Sequence, residues 1–106
     1  MKILTDNNFE EFLSEADKPV LVDIFTQWCP PCKMLGPVIE KIAEDYADKI
    51  IVAKMDLDAN PITGQKFGIE VIPTVILFKN KEAIDKFIGY HPEADVKAWL
   101  DSRLSL

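Results

Sequence analysis

The chain has 106 residues, 48% of them apolar and 28% charged, which suits one globular domain spanning residues 1–106 with one hydrophobic core. Its formal net charge of −6 disfavours nucleic acid and anionic membranes as partners, because both require a basic binding face. No run approaches the ~18 consecutive apolar residues of a membrane span, and Asp6 precedes any signal-like apolar stretch. We therefore expect a soluble, cytoplasmic protein.

The first half of the chain alternates between helix and strand patterns. Asn7 with Glu10 predicts a helix cap, and the apolar positions that follow share one helix face. These positions are Phe9, Phe12, Leu13 and Ala16. After a break at residues 17–19, the apolar run 20–25 is typical of a strand buried on both faces.

The longest predicted helix comes next, and one apolar stripe defines it. The stripe consists of Leu35, Val38, Ile39, Ile42, Ala43 and Tyr46. This spacing keeps the apolar side chains on one side of a helix that buries them against a sheet. Pro37 lies inside the same segment, so we expect a kink there.

The second half continues the alternation and ends with a hairpin and a helix. Residues 50–56 predict another buried strand, and residues 60–67 a short helix that Gly68 ends. The runs 73–78 and 83–88 are separated by only four residues, so they predict an antiparallel hairpin. After Pro92 a helix face is formed by Val96, Trp99, Leu100 and Leu104. The alternation predicts a mixed α/β sheet with helices on both faces and chemistry beyond the carboxyl ends of its parallel strands.

The only two cysteines, Cys29 and Cys32, form a C-x-x-C motif between the strand 20–25 and the long helix. A lone C-x-x-C is a redox pair, half of a zinc site or a coincidence, so its setting decides. Unpaired N–H groups and the positive end of the helix dipole stabilise a thiolate at a helix start, and Cys29 gains most. This setting favours redox catalysis.

Three structural alternatives to a redox pair remain open at this point. A disulfide across so short a loop gains little from restricting the unfolded chain. A zinc site needs four ligands, and the only other soft candidate is His91, which we expect in a solvated loop. An iron–sulfur cluster needs a second C-x-x-C pair, from another copy of the chain. We expect no metal.

Asp23 interrupts the otherwise apolar strand 20–25. Burial of an unpaired charge is costly, so desolvation should raise the pKa of this carboxyl group. Asp23 is therefore a candidate proton acceptor for the thiol of Cys32, with a purely structural hydrogen bond as the alternative. Trp28, adjacent to the dithiol, is expected as an exposed shelf for substrate, and ordinary core packing is its alternative.

Together these motifs resemble the thioredoxin family over nearly the whole chain. The matching positions are Asp23, the run Trp28-Cys29-x-Pro31-Cys32-Lys33, Pro37, the run Val52-Ala53-Lys54 with Asp56, the run Ile72-Pro73-Thr74, and the run Phe78-Lys79-Asn80 with Gly89. The resemblance implies a thioredoxin fold, a three-layer α/β/α sandwich with a mixed five-stranded sheet in the order β-α-β-α-β-α-β-β-α and four helices. It also implies a cis peptide bond before Pro73, where a strand-edge proline is the alternative.

Three positions depart from the usual family pattern. Pro30 stands where glycine is usual, Val71 where many members carry a small residue, and Phe25 where tryptophan is common. Pro30 removes an N–H group, fixes its own φ and favours an extended Cys29. The residues between the cysteines tune the redox potential, so Pro30 bears directly on it.

The resemblance implies a thiol–disulfide oxidoreductase, an electron carrier that reduces disulfides in partner proteins. Cys29 would attack, Cys32 would resolve the mixed disulfide, and Asp23 would take the second proton. Lys54 resembles the residue that partners this buried acid in the family. The alternative is a surface lysine whose aliphatic stem packs on apolar side chains. The expected substrate-binding residues are Trp28, Pro30, Pro31, Val71, Ile72 and Pro73, with backbone groups near Pro73 pairing with an extended substrate.

The resemblance also implies the partners of the protein. We expect no cofactor of its own, with electrons drawn from NADPH through a flavoprotein thioredoxin reductase. We expect a monomer that binds this reductase and disulfide-containing proteins. Two other functions remain as alternatives: a binding module whose dithiol is incidental, and a disulfide-forming oxidant, although Asp23 suits a reductant.

Overall fold

The computed structural model describes residues 1–105, and within them lie four helices and one five-stranded sheet. In chain order the elements are β1 (Lys2–Ile3), α1 (Phe9–Glu15), β2 (Val20–Phe25), α2 (Pro30–Asp45), β3 (Ile51–Asp56), α3 (Pro61–Lys66), β4 (Thr74–Lys79), β5 (Glu82–Ile88) and α4 (Glu93–Leu104). The strand order across the sheet is β1-β3-β2-β4-β5. β1, β3 and β2 are parallel, whereas β4 runs antiparallel to both β2 and β5. The predicted mixed sheet is confirmed.

The central strand β2 divides the hydrophobic core into two layers. Leu21 belongs to the cluster that packs with α2 and α4, whereas Val22 and Ile24 belong to the cluster that packs with α1. This division follows from the alternation of side chains across a strand. Because both faces are covered, nearly every residue of β2 is apolar, and Asp23 is its charged exception.

On the α1 side, three aromatic rings from distant parts of the chain pack edge to face. The ring centroids of Phe9, Phe67 and Phe78 lie 5.4 to 5.6 Å apart. This geometry is favourable for aromatic quadrupoles. It links α1, the end of α3 and β4 into one layer, so the predicted α/β/α sandwich is confirmed.

The prediction that Asn7 caps α1 is wrong. The N-cap is Asn8, and its side-chain Oδ1 accepts a 2.7 Å hydrogen bond from the N–H of Thr5. The amide side chain therefore stabilises the preceding turn and leaves the first turn of the helix uncapped. Nearby, Asp6 takes the capping role for another helix, because the N–H groups of Ile62 and Thr63 in α3 donate to its carboxylate.

The hairpin of β4 and β5 is confirmed, with shifted ends. Asn80 and Lys81 have φ values of 53° and 72°, as in a two-residue type I′ turn. β4 begins at Thr74 and not at Pro73, consistent with the inability of proline to donate to the sheet. The strand register shifts between Leu77 and Phe78, so β5 carries a bulge.

Candidate active site

The dithiol lies at the N-terminus of α2, just beyond the carboxyl end of β2. Cys29 and Cys32 are joined by a disulfide, with their Cα atoms 5.2 Å apart. Cys29 is the helix N-cap and is extended, with φ −96° and ψ 108°, as expected before a proline. Its Sγ accepts a 3.2 Å hydrogen bond from the N–H of Cys32.

The two prolines make this hydrogen bond the first that the helix can offer. Pro30 and Pro31 occupy the first two helical positions and have no N–H group. The amide of Cys32 is therefore the first backbone donor of α2, and it points at Cys29 Sγ. A helix N-terminus with a donor on the sulfur stabilises negative charge there, which favours a Cys29 thiolate in the reduced protein.

Asp23 and Lys54 face each other as register partners on β2 and β3. Asp23 is 6% exposed, and burial raises the pKa of its carboxyl group to about 6, against the opposing positive charge of Lys54. The predicted burial is confirmed, and the pKa shift has the predicted direction. Lys54 is half-buried, and its ammonium lies 5.6 Å from the ring centroid of Phe25, so part of its stabilisation comes from an aromatic face.

A pocket of about 400 Å³ beneath the disulfide joins these residues. Asp23, Cys32 and Lys54 all line it. Thr26, immediately after β2, also lines it and was not predicted as a site residue. A threonine at a strand end is common, so its signal was weak. The pocket brings the second cysteine and the buried acid together at one site.

Trp28 is 68% exposed, which excludes the core alternative. Its indole Nε1 donates a 2.8 Å hydrogen bond to Asp58 Oδ2. Asp58 is a site residue that was not predicted, although the sequence carries a signal for it: Trp28 follows β2 and Asp58 follows β3, and these strands are parallel. The carboxyl ends of neighbouring parallel strands converge at one edge of a sheet.

The segment 71–73 reaches the same edge of the sheet through β4. Thr74 is the register partner of Ile24, so the residues before it lie at the end of β2. The Ile72–Pro73 peptide bond is cis, as the resemblance implies. Val71 is 53% exposed and Ile72 partly buried, whereas Pro73 is buried and its carbonyl accepts a 2.8 Å hydrogen bond from the N–H of Gly89.

His91 lies apart from this pocket, in the connection between β5 and α4. It is half-buried and packs edge to face on Phe87, with ring centroids 5.1 Å apart, so it is less solvated than expected. It lines a separate cavity beside Trp99. Within residues 1–105, no cluster of three or more His, Cys, Asp or Glu side chains is placed to hold a metal ion.

No helix within residues 1–105 is both long and apolar enough to cross a membrane.

Comparison with known proteins agrees with this geometry. The thioredoxin family model matches residues 1–102. The chain is 50% identical over 97 residues to the thioredoxin of Alicyclobacillus acidocaldarius subsp. acidocaldarius, covering 92% of this chain and 91% of that one. It is 45% identical over 101 residues to the thioredoxin of Rickettsia bellii, covering 95% and 96% of the two chains. It is 44% identical over 101 residues to that of Staphylococcus haemolyticus, covering 95% of each chain.

These similarities extend over almost the whole chain and include the C-x-x-C pair that the structure shows as a disulfide. The reaction is disulfide reduction in partner proteins, with Cys29 and Cys32 cycling between dithiol and disulfide and a reductase restoring the dithiol. The chain belongs to the thioredoxin family of thiol–disulfide oxidoreductases.

Proposed function

We propose that Cys29 is the attacking cysteine and Cys32 the resolving one. The observation that carries this assignment is the hydrogen bond from the N–H of Cys32 to Cys29 Sγ at the start of α2. The Cys29 thiolate attacks the partner's disulfide, one partner sulfur leaves as a thiolate, and a mixed disulfide remains. Cys32 then attacks Cys29 Sγ, the second partner sulfur leaves, and two electrons have passed to the partner.

Asp23 serves as the proton acceptor for Cys32. The resolving cysteine has to lose its proton, and Asp23 lines the same pocket. A pKa of about 6 keeps this carboxyl group mostly ionised at neutral pH yet basic enough to take a proton. Lys54 opposes the effect of burial, because its charge favours the ionised carboxylate.

The substrate surface surrounds Cys29. Trp28, Pro30, Pro31 and Val71 are exposed, and Ile72 is partly so. An extended partner chain pairs with the backbone of the segment 71–73 and places its apolar side chains on this surface. Since Pro73 is buried, it acts through its backbone and by shaping the loop.

Residues 1–106 act as one domain and as a monomer in the cytoplasm. The edge strand β5 supports a monomer, because its bulge and the exposed Lys86 discourage pairing with a second edge. The protein uses no cofactor of its own. Its electrons come from NADPH through a flavoprotein thioredoxin reductase, and its other partners are disulfide-containing proteins.

A trapping experiment tests the division between the two cysteines. Cys32→Ser leaves an attacking cysteine without a resolving one, so mixed disulfides should accumulate. Immobilised Cys32→Ser should capture proteins that dithiothreitol releases, and Cys29→Ser should capture none. The reverse pattern would exchange the two roles. Oxidation of NADPH in the presence of insulin and a thioredoxin reductase checks the electron source, and gel filtration checks the monomer.

A further inference from the structure

The end of β5 is attached to the segment 71–73 by a single backbone hydrogen bond between Gly89 and Pro73. The N–H of Gly89 donates to the carbonyl of Pro73 over 2.8 Å. Two residues that face each other as a hydrogen-bonded pair in an antiparallel ladder normally exchange two such bonds. Proline has no N–H group, so the second bond cannot form here. The chain after β5 therefore holds Pro73 with half of the usual backbone bonding.

The carbonyl of Ile88 faces away from the sheet. Ile88 is the register partner of Thr74, one position before the bond that joins Gly89 to Pro73. Hydrogen-bonded and non-hydrogen-bonded pairs alternate along an antiparallel ladder, so the pair of Thr74 and Ile88 is non-hydrogen-bonded and its backbone groups point outward. Because β5 is the last strand of the sheet, a donor to the Ile88 carbonyl has to come from outside the sheet.

His91 supplies this donor. Its ring atom Nε2 lies 3.1 Å from the carbonyl oxygen of Ile88. A carbonyl oxygen only accepts hydrogen bonds, so Nε2 carries the hydrogen. The half-buried ring packs edge to face on Phe87, with centroids 5.1 Å apart, and this contact orients it. Gly89 lies between the two bonded residues, and its φ of +83° makes the chain turn there.

We propose that His91 is a positioning residue for the binding of protein substrates. Its bond to Ile88 holds the turn 88–91, and the turn keeps the N–H of Gly89 on the carbonyl of Pro73. The inference rests on the proposed pairing of partner chains with the segment 71–73. A segment that is ordered before binding loses less conformational entropy when a partner binds. Loss of the histidine donor therefore weakens the binding of protein disulfides and leaves the chemistry of the two cysteines unchanged.

Hydrogen exchange of the Gly89 amide measures the turn directly. In His91→Ala this amide should exchange about two- to tenfold faster, the change expected for the loss of one hydrogen bond. The amide of Leu4, which bonds to the carbonyl of Lys54 at the opposite edge of the sheet, is the control and should keep its wild-type rate. An unchanged rate at Gly89, or equal acceleration at Gly89 and Leu4, overturns the proposal.

The kinetics of two disulfide substrates test whether the turn matters for binding. In His91→Ala the KM for insulin should rise by about two- to tenfold, with kcat unchanged. The rate with 5,5′-dithiobis(2-nitrobenzoate) should stay at the wild-type value, because this small disulfide has no peptide backbone to pair with the segment 71–73. An equal loss of rate with both substrates would place the effect on the cysteines and would contradict the proposal.

Two further variants at the same position separate the hydrogen bond from the packing of the ring. The side-chain amide nitrogen of His91→Gln extends about as far as Nε2, so this variant should restore both the protection of the Gly89 amide and the KM. The shorter amide of His91→Asn falls short of the Ile88 carbonyl, so this variant should behave like alanine. If His91→Gln also behaved like alanine, packing and not the bond would hold the turn, and the proposal would fail.

A change within the segment 71–73 distinguishes failure of this inference from failure of the proposed substrate surface. Val71→Asp places a charge on that surface and should raise the KM for insulin. A raised KM in Val71→Asp together with a wild-type KM in His91→Ala overturns the role of His91 alone. A wild-type KM in Val71→Asp removes the surface itself, and the inference falls with it.

Discussion

Trp28 and Asp58 are joined across the carboxyl ends of β2 and β3 by a 2.8 Å hydrogen bond from the indole Nε1 to the carboxylate Oδ2. Asp58 is itself held, because its N–H donates a 3.0 Å hydrogen bond to Asp56 Oδ1. With 68% of Trp28 exposed, this bond and not burial orients the ring. The ring is therefore a preorganised surface beside Cys29.

Replacing Asp58 with alanine should raise the KM for protein disulfides by about two- to tenfold with little change in kcat, because binding then has to order the indole. Asp58→Asn keeps an oxygen acceptor and should lie close to wild type. Insulin reduction measured over a range of insulin concentrations separates the two parameters. If kcat fell as much as kcat/KM, Asp58 would act on the chemical step instead.

Asp23→Asn should be more stable than wild type at neutral and alkaline pH. The pKa of Asp23 rises from 3.8 in the unfolded chain to about 6 in the folded protein, so the folded state binds more protons between these values. The contribution of Asp23 to folding stability is therefore fully present below pH 3.8 and is lost as the pH rises through about 6. Above that window the cost is about 3 kcal/mol, at about 1.4 kcal/mol for each pKa unit.

Urea unfolding of the oxidised proteins at about pH 4.5 and about pH 8 checks this. The unfolding free energy of Asp23→Asn should exceed that of wild type by less than half as much at about pH 4.5 as at about pH 8, because Asp23 in the folded wild-type protein is mostly protonated at the lower pH. A difference that stays constant with pH would show that Asp23 is solvated, and its role as acceptor would go with it.

Gly36 in the middle of α2 should be replaceable by alanine with a gain of about 0.5–1 kcal/mol in unfolding free energy, because glycine is a poor helix former. A Cβ at this position meets no atom within 4 Å. Gly68 is the matched control: a Cβ there is equally unobstructed, but φ is +62°. Gly68→Ala should therefore be destabilised by about 1–2 kcal/mol. Urea unfolding of both variants gives the comparison, and equal shifts would contradict it.

Pro30→Gly should make the redox potential less negative. The N–H of Cys32 already donates to Cys29 Sγ, and an N-cap side chain bonds the second or third helical N–H, not the first. Glycine at the first position therefore adds flexibility without a new donor to sulfur. A more flexible loop loses more entropy when the disulfide closes, so the dithiol is favoured.

Equilibration with glutathione measures this shift, which should exceed about 10 mV, given that about 30 mV is a tenfold change in the equilibrium constant. Pro61→Gly makes the same change at the first position of α3 and should leave the potential unchanged. A potential that becomes more negative in Pro30→Gly would mean that rigidity is not the dominant effect.

Much of the fold could be predicted because local patterns decide it. The strand 20–25 has the same bounds in sequence and structure, since a run that is apolar apart from Asp23 suits a strand covered on both faces. The cap at Asn7 could not be placed correctly. Polar side chains near a helix start compete for several N–H groups, and Asn8 bonds to Thr5 in the folded chain.

The sequence by itself determined the redox chemistry of this protein, because that chemistry depends on residues that are close together along the chain. Two cysteines with two prolines between them, directly after a buried strand, set a sulfur at a helix N-terminus. The tertiary structure decided three further relationships: the register pairing of Asp23 with Lys54, which the family resemblance alone had suggested, the bond from Trp28 to Asp58, and the placing of Thr26 in a pocket with Asp23 and Cys32. The first two join residues 30 or more positions apart, and the pocket closes only when α2 packs over the sheet, so strand register and packing decide such contacts.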